Sequence, residues 1–197
     1  AQTVADWIKE VSANSSSDAQ ERFAIMKSTF IAGQRLNDDE LVRQAQQNLS
    51  VLMQTPGPLK LDLLYAKGQI AQHLGQYDQA EASYREVLAS VPNNHLLLNN
   101  LALVLVERGE DAVNEAEQLA KKATTLVDND PILFDTLAIV YLRKGQLNKA
   151  LAAIEKAIKL DQLSPAWRLT QADILEAMGD DQRATTIRER YAPKAQN

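Results

Sequence analysis

Metal binding, nucleophilic catalysis and acid–base chemistry each need particular side chains at particular spacings, and this sequence offers few of them. It contains two histidines, His73 and His95, and no cysteine. Each histidine stands alone, without further ligands at helical or loop spacing, so a zinc-type site has no ligand set. Both read as polar packing or surface residues. The lack of cysteine excludes disulfides, thiolate metal sites and a cysteine nucleophile. No Gly-rich phosphate loop and no nucleophile elbow occurs. Carboxylates are abundant, as at Glu107, Glu110 and Asp111 or at Asp180 and Asp181. They fall in turns and at helix starts, where acids favour the positive end of the helix dipole. No catalytic, cofactor-binding or metal-binding residue is assigned, no cofactor is expected, and the chain does not read as an enzyme.

The charge balance narrows the partners. The formal net charge is −5, with 24% charged residues. Basic residues occur as isolated pairs, Lys121 with Lys122 and Arg143 with Lys144, and form no stripe for nucleic acid. No apolar run is long enough to cross a bilayer, so no membrane insertion is expected. The opening AQTVADWIKE lacks a basic segment ahead of an apolar stretch. It also lacks Met, as a processed form or an excised fragment would. Hydrophobic residues make up 45% and aromatics 5%. The excess of Ala, Leu and Gln favours helices.

What the chain does carry is a period. Gly75, Gly109, Gly145 and Gly179 follow one another at spacings of 34, 36 and 34. A small residue stands seven positions before each: Gly68, Ala102, Ala138 and Ala172. An alanine follows each: Ala80, Ala116, Ala150 and Ala184. The longer middle spacing places two inserted residues in the turn Glu110–Glu115. Helix starts are marked by Asn94, by Asp130 before Pro131 and by Ser164 before Pro165. The pattern predicts helices near 58–73, 77–90, 95–108, 112–127, 131–144, 147–160, 165–178 and 181–191.

Ahead of the period, residues 3–11 predict a short helix carrying Trp7, Ile8 and Val11, and 12–18 a polar linker. Ser17 with Gln20 resembles a capping box. A helix is predicted from there to Leu36 and another, capped by Asn37, over 38–54, ended by Thr55-Pro-Gly-Pro58. This hairpin lacks the glycine and alanine signature. The reading divides the chain into an N-terminal segment with a degenerate hairpin, 1–57, and a repeat array, 58–197. The repeats fall near 61–94, 95–130, 131–164 and 165–191, and PKAQN is a loose tail. The polar last helix DDQRATTIRERY suits a unit whose outer face meets water.

LDLLYAKGQIAQHLGQYDQAEASYREVLASVP, from Leu61 to Pro92, resembles a tetratricopeptide repeat, with Gly68, Gly75, Tyr77, Ala80, Tyr84 and Pro92 at the family's offsets. PILFDTLAIVYLRKGQLNKALAAIEKAIKLD matches it with Leu137, Ala138, Tyr141, Gly145, Ala150 and Ala157. The resemblance covers about residues 58–191. It implies an all-α, right-handed α-solenoid of about four such hairpins after the degenerate one. It also implies a non-catalytic scaffold that binds a protein or peptide segment on its concave side.

In the family that side uses the second, fifth, ninth and twelfth positions, which share one helical face. Here they are Asp62, Tyr65, Gln69 and Gln72; Leu96, Asn99, Leu103 and Val106; Ile132, Asp135, Ile139 and Leu142; and Ala166, Leu169, Asp173 and Glu176. The candidate groove is Tyr65, Gln69, Asn99, Asn100, Leu103, Asp135, Ile139, Leu169 and Asp173. Leu103 and Ile139 would supply apolar contact, and Asn99 and Asn100 would bond an extended backbone. The acids favour an apolar, neutral or basic segment. Val106 and Leu142 could instead serve packing between repeats. Some members of the family clamp the C-terminal carboxylate of chaperones with Lys, Asn, Asn, Lys and Arg. Those positions hold Tyr65, Gln69, Asn100, Ile132 and Thr136, and only Asn100 fits.

The phrases NNLA and NDPILFDTLA are similar to bacterial repeat proteins of exopolysaccharide and cell-surface export systems, including repeat lipoproteins of the PEP-CTERM type. This would place the chain in the bacterial envelope or periplasm, with the cytoplasm as the other compartment. The alternative function is an architectural segment of a larger repeat protein, self-associating as a homo-oligomer.

Overall fold

The structure, a computed structural model, describes residues 19–54 and 57–192. The expected helix with Trp7, the linker with Ser17, the break at Thr55-Pro56 and the tail from 193 lie outside the described residues. Among the described residues every regular element is helical. In chain order these are α1 (Ala19–Leu36), α2 (Asp39–Leu52), α3 (Lys60–His73), α4 (Tyr77–Ser90) and α5 (His95–Arg108). After a 3-10 turn, Glu110–Ala112, come α6 (Val113–Leu126), α7 (Pro131–Arg143), α8 (Leu147–Leu160), α9 (Pro165–Ala177) and α10 (Asp181–Tyr191). Consecutive helices pair into hairpins, and the chain divides into two compact units, Ala1–Ser90 and Val91–Asn197. No described helix is long and apolar enough to cross a membrane.

Each hairpin turn uses the glycine that the period marks. Gly75, Gly145 and Gly179 have φ of +70°, +68° and +83°, a left-handed conformation that an L side chain strains. The next residue then reaches back five positions: Gln76 N–H donates to Ala71 C=O at 2.8 Å, Gln146 to Tyr141 at 2.9 Å and Asp180 to Leu175 at 2.9 Å. The exception is Gly109, extended in ψ, after which the inserted residues form the 3-10 turn. Asp130 and Asn94 cap as expected, their side-chain oxygens accepting from Ile132 N–H and Leu97 N–H, both at 3.0 Å. Ser164 stands at the start of α9 but its side chain makes no capping bond, so Pro165 alone marks that start.

In the first unit, α1 and α2 share one core with α3. Met26, Phe30, Val42, Ala45, Leu49 and Leu52 pack together with Leu63, Ala66 and Ile70. One expectation needs correcting. Asn37 is not the cap of α2. It takes φ +52°, and Asp38 caps instead, accepting from Glu40 N–H at 2.9 Å and Leu41 N–H at 3.2 Å. The first hairpin lacks the glycine and alanine at their pattern positions, as the sequence reading has it, yet it builds the same turn. Asp38 N–H donates to Gly33 C=O at 2.9 Å, the same five-residue bond as in the later turns. Asn37 thus stands where the later hairpins have glycine, and Val42 where they have alanine. A Cβ on Gly33 would lie 2.8 Å from Val42 Cγ2, so the glycine makes room for the larger valine.

In the second hairpin the space lies at Gly68. A Cβ there would come within 2.3 Å of the Tyr84 ring. That ring is fully buried, and its hydroxyl donates to Gln72 Oε1 at 2.9 Å, so it has no room to yield. All seven alanines of the pattern, Ala80, Ala102, Ala116, Ala138, Ala150, Ala172 and Ala184, are buried.

In the second unit, the first helices α5, α7 and α9 touch their neighbours directly, while each second helix packs on the first helix of the next hairpin. A polar tie joins α6 to the end of α7. Glu117 Oε2 accepts from Lys144 Nζ, and Glu117 Oε1 pairs with Lys121. Lys144 also donates to Asn114 Oδ1 at 2.8 Å. The Glu117 side chain is only 13% exposed. The hydrogen bonds from Lys121 and Lys144 hold its carboxyl at about 2, well below the ordinary 4.5.

Two outcomes are expected. Gly68→Ala destabilises the chain in urea unfolding, because overpacking against Tyr84 costs about 1–3 kcal/mol and exceeds the roughly 1 kcal/mol that alanine gains over glycine in a helix. Unchanged stability would mean that the α3–α4 approach is looser than described. Glu117→Gln lowers stability by about 1 kcal/mol at neutral pH, the contribution being limited by solvent screening. A depressed carboxyl stabilises the fold above its unfolded pKa and loses that contribution as pH falls toward 2. The gap between wild type and variant should therefore narrow as pH falls below 4.5 and close near pH 2.

Candidate functional site

The candidate residues fall in both units. Tyr65 and Gln69 belong to α3 in the first, and the other seven to α5, α7 and α9 in the second. In the first unit Tyr65 and Gln69 are half-buried, and the Tyr65 ring lies 5.9 Å from that of Tyr84. Gln72 of the same stripe accepts the Tyr84 hydroxyl. These positions of the first unit are thus tied to internal packing. His73 is exposed, its ring edge-on to Phe30 at 5.8 Å, which suits the packing role read for it.

In the second unit the stripe is graded. Leu96 and Ile132, at the starts of α5 and α7, are 42% and 47% exposed. One to two turns further, Leu103, Ile139 and Leu169 are half-buried. Val106 is buried, as packing between repeats would require, whereas Leu142 stays half-buried. Asn100 is half-buried. Asn99 departs from its expected role. It is only 2% exposed, so its carboxamide is not laid open to an extended backbone, yet its Oδ1 has no hydrogen-bond partner among the described residues.

Asp135 is the most perturbed acid of the stripe. Burial pushes its carboxyl up from 3.8 to about 6. The Thr170 hydroxyl on α9 draws it partly back, and Asp173, also on α9, adds a smaller upward push. Its Oδ1 is buried and unpartnered. Asp173 itself is exposed and neutralised from the outer layer: Arg188 of α10 donates to Asp173 Oδ1 and to Glu176 Oε2, each at 2.7 Å. Those two carboxylates raise the Arg188 guanidinium further above its ordinary range. The sequence reading missed Arg188. Its signal was weak, one arginine in a polar terminal helix. Trp167 is half-buried and donates from Nε1 to Asp161 Oδ2 at 3.2 Å, anchoring the start of α9 to the end of α8.

A family model described as "Tetratricopeptide repeat" matches residues 10–195. A TPR repeat-containing protein of Pseudomonas aeruginosa is 31% identical over 102 residues, which is 52% of this chain and 17% of that protein. The cellulose synthase 1 operon protein C of Komagataeibacter xylinus is 28% identical over 139 residues, 70% of this chain and 10% of that protein. The chain thus spans less than a fifth of the length of these curated relatives. Among solved structures, a thermophilic TPR protein of Thermus thermophilus superposes with a TM-score of 0.72 at 20% identity, covering 86% of this chain and 93% of that one.

The raised Asp135 carboxyl has a consequence with a definite sign. Between about pH 4 and pH 6 the folded chain keeps a proton that the unfolded chain has lost. This contribution to stability is therefore largest at acid pH and falls as pH rises through 6. Asp135→Asn should raise stability by about 1–2 kcal/mol at pH 7 and leave it nearly unchanged near pH 4. Thermal unfolding of both chains at the two pH values checks this. A gain of equal size at both would show that charge burial is not the cause.

Proposed function

Because the chain belongs to the tetratricopeptide repeat family, we propose that it is a non-catalytic interaction scaffold that holds a protein or peptide segment along the first helices of its second unit. One observation carries this reading. Leu103, Ile139 and Leu169 repeat on neighbouring helices at the stripe positions and are left half-open to solvent. Apolar side chains spaced for one face and only partly covered offer an anchor row, and such anchors dominate binding energy at interfaces.

The chaperone-tail mode has little support. Ile132 and Thr136 stand where that clamp needs Lys and Arg, and Thr136 is buried. A free C-terminal acid is not required by the binding we propose. The setting we favour is an assembly of the bacterial envelope concerned with polymer export. The NNLA and NDPILFDTLA phrases support it, as does similarity to a protein of a cellulose synthase operon.

The test is photo-crosslinking from position 103 in the full chain, followed by binding of the captured partner to Leu103→Asp, Ile139→Asp and the outer-layer control Ala152→Asp. Circular dichroism confirms folding, and Leu103→Ala serves if the acid variant unfolds. Each inner variant should weaken binding at least tenfold, and Ala152→Asp less than twofold. Folded inner variants that bind as the control does would exclude the stripe. Capture of a second copy of this chain would support the architectural alternative.

A further inference from the structure

Asn99 and Asp135 occupy the same position, the fifth, in neighbouring first helices α5 and α7. Each lies one helical turn before an apolar residue of the stripe, Leu103 and Ile139, and so shares its face. Each also carries a buried oxygen, Oδ1 in both, with no hydrogen-bond partner among the described residues. Buried polar atoms are nearly always satisfied, and one that is not leaves a place for a donor, whether water, an ion or a partner's group. Two in register on adjacent helices are more specific than either alone.

The missing partner has a definable chemistry. Both atoms are acceptors, so the group must donate. One belongs to a carboxylate, so the group that offsets its burial must be positive. The chain does not provide that charge. None of the twelve second-, fifth-, ninth- and twelfth-position residues of α5, α7 and α9 is Lys or Arg. The Arg188 cation is taken up by Asp173 and Glu176 further along α9. No cation among the described residues pairs with Asp135. Thr170 attends the carboxyl from α9, but its hydroxyl is one neutral donor, and it also leans on Ala166 C=O at 3.4 Å.

We propose that the segment held on this face presents a basic side chain, an arginine in preference to a lysine, whose N–H groups bond Asp135, with the covered Asn99 side chain turning out to serve as the neighbouring acceptor. Arginine fits better because its planar guanidinium has five donors and can serve two acceptors on different helices at once. Leu103 and Ile139 then contact the apolar stem or the flanking residues. This rests on the scaffold reading above and adds to it the recognition element that selects the partner.

The experiment uses a phage-displayed random 12-residue library selected on the full-length chain. Enriched peptides are resynthesised with each Arg or Lys replaced in turn by citrulline or norleucine. Citrulline keeps the shape of arginine and loses the charge. Selected peptides should share one basic residue whose replacement weakens binding about tenfold or more, because a charge-assisted bond in a buried site is among the stronger kinds. Asp135→Asn should remove that discrimination while retaining the weaker apolar binding, and Asn99→Leu should reduce it. If the peptides lose binding in Ile139→Asp but discriminate less than twofold between arginine and citrulline, the proposal falls and the scaffold reading stands. The same holds if Asp135→Asn discriminates as wild type does. If Leu103→Asp and Ile139→Asp leave the peptides bound, or if no peptide is enriched, both fall.

Discussion

The close approach of the two helices in each hairpin is the constraint on which the rest depends. A residue with no side chain, or only a methyl, must stand where the axes come nearest. Tyr84 shows how little tolerance remains, since its ring occupies the volume that a Cβ on Gly68 would need. The first hairpin meets the same demand by another route, with Gly33 yielding to Val42. In both crossings a glycine leaves room for a larger side chain on the facing helix, Tyr84 in one and Val42 in the other. Once the crossing is fixed, the turn follows. The left-handed residue, glycine at three turns and asparagine at the first, lets the chain reverse with its last carbonyls satisfied.

That geometry also decides which polar groups are in or out of water, and it treats two acids of the second unit in opposite ways. Glu117 lies between two lysines supplied by its own helix and by the end of α7, so its charge is stabilised. Asp135 lies on the first-helix face, where the packing of α7 against its neighbours removes water and supplies only a hydroxyl in return. One carboxylate supports the fold and the other is tolerated at a cost. Acids shifted in this way cluster at functional sites, which is why the Asp135 environment is the most informative part of the face.

The family match over 10–195 and the superposition on a thermophilic repeat protein agree with the hairpin architecture, and neither says what is bound. The relatives are several times longer than this chain. A tandem repeat array behaves as a sum of units and their nearest-neighbour contacts, so a portion of it can share the fold of much longer proteins without sharing their partners.

The sequence by itself determined the hairpins from Lys60 onward. Their limits depend on local chemistry: a capping Asn94 or Asp130, a proline in the first turn, a glycine that accepts positive φ. Each acts within a few residues of the chain, so spacing alone reveals it. The same local logic failed at Asn37, because asparagine serves equally as a cap or as a left-handed turn residue, and only the bond from Asp38 to Gly33 tells which. The candidate face was legible as a stripe but not as a surface. Only the tertiary structure decided that Asn99 and Val106 are covered while Leu103 and Ile139 stay half-open. It also decided that Asp173 is answered by Arg188 and that Asp135 is not. Those outcomes depend on helices brought together from distant parts of the chain, and burial and charge pairing are properties of that assembly, which no periodicity within one helix encodes.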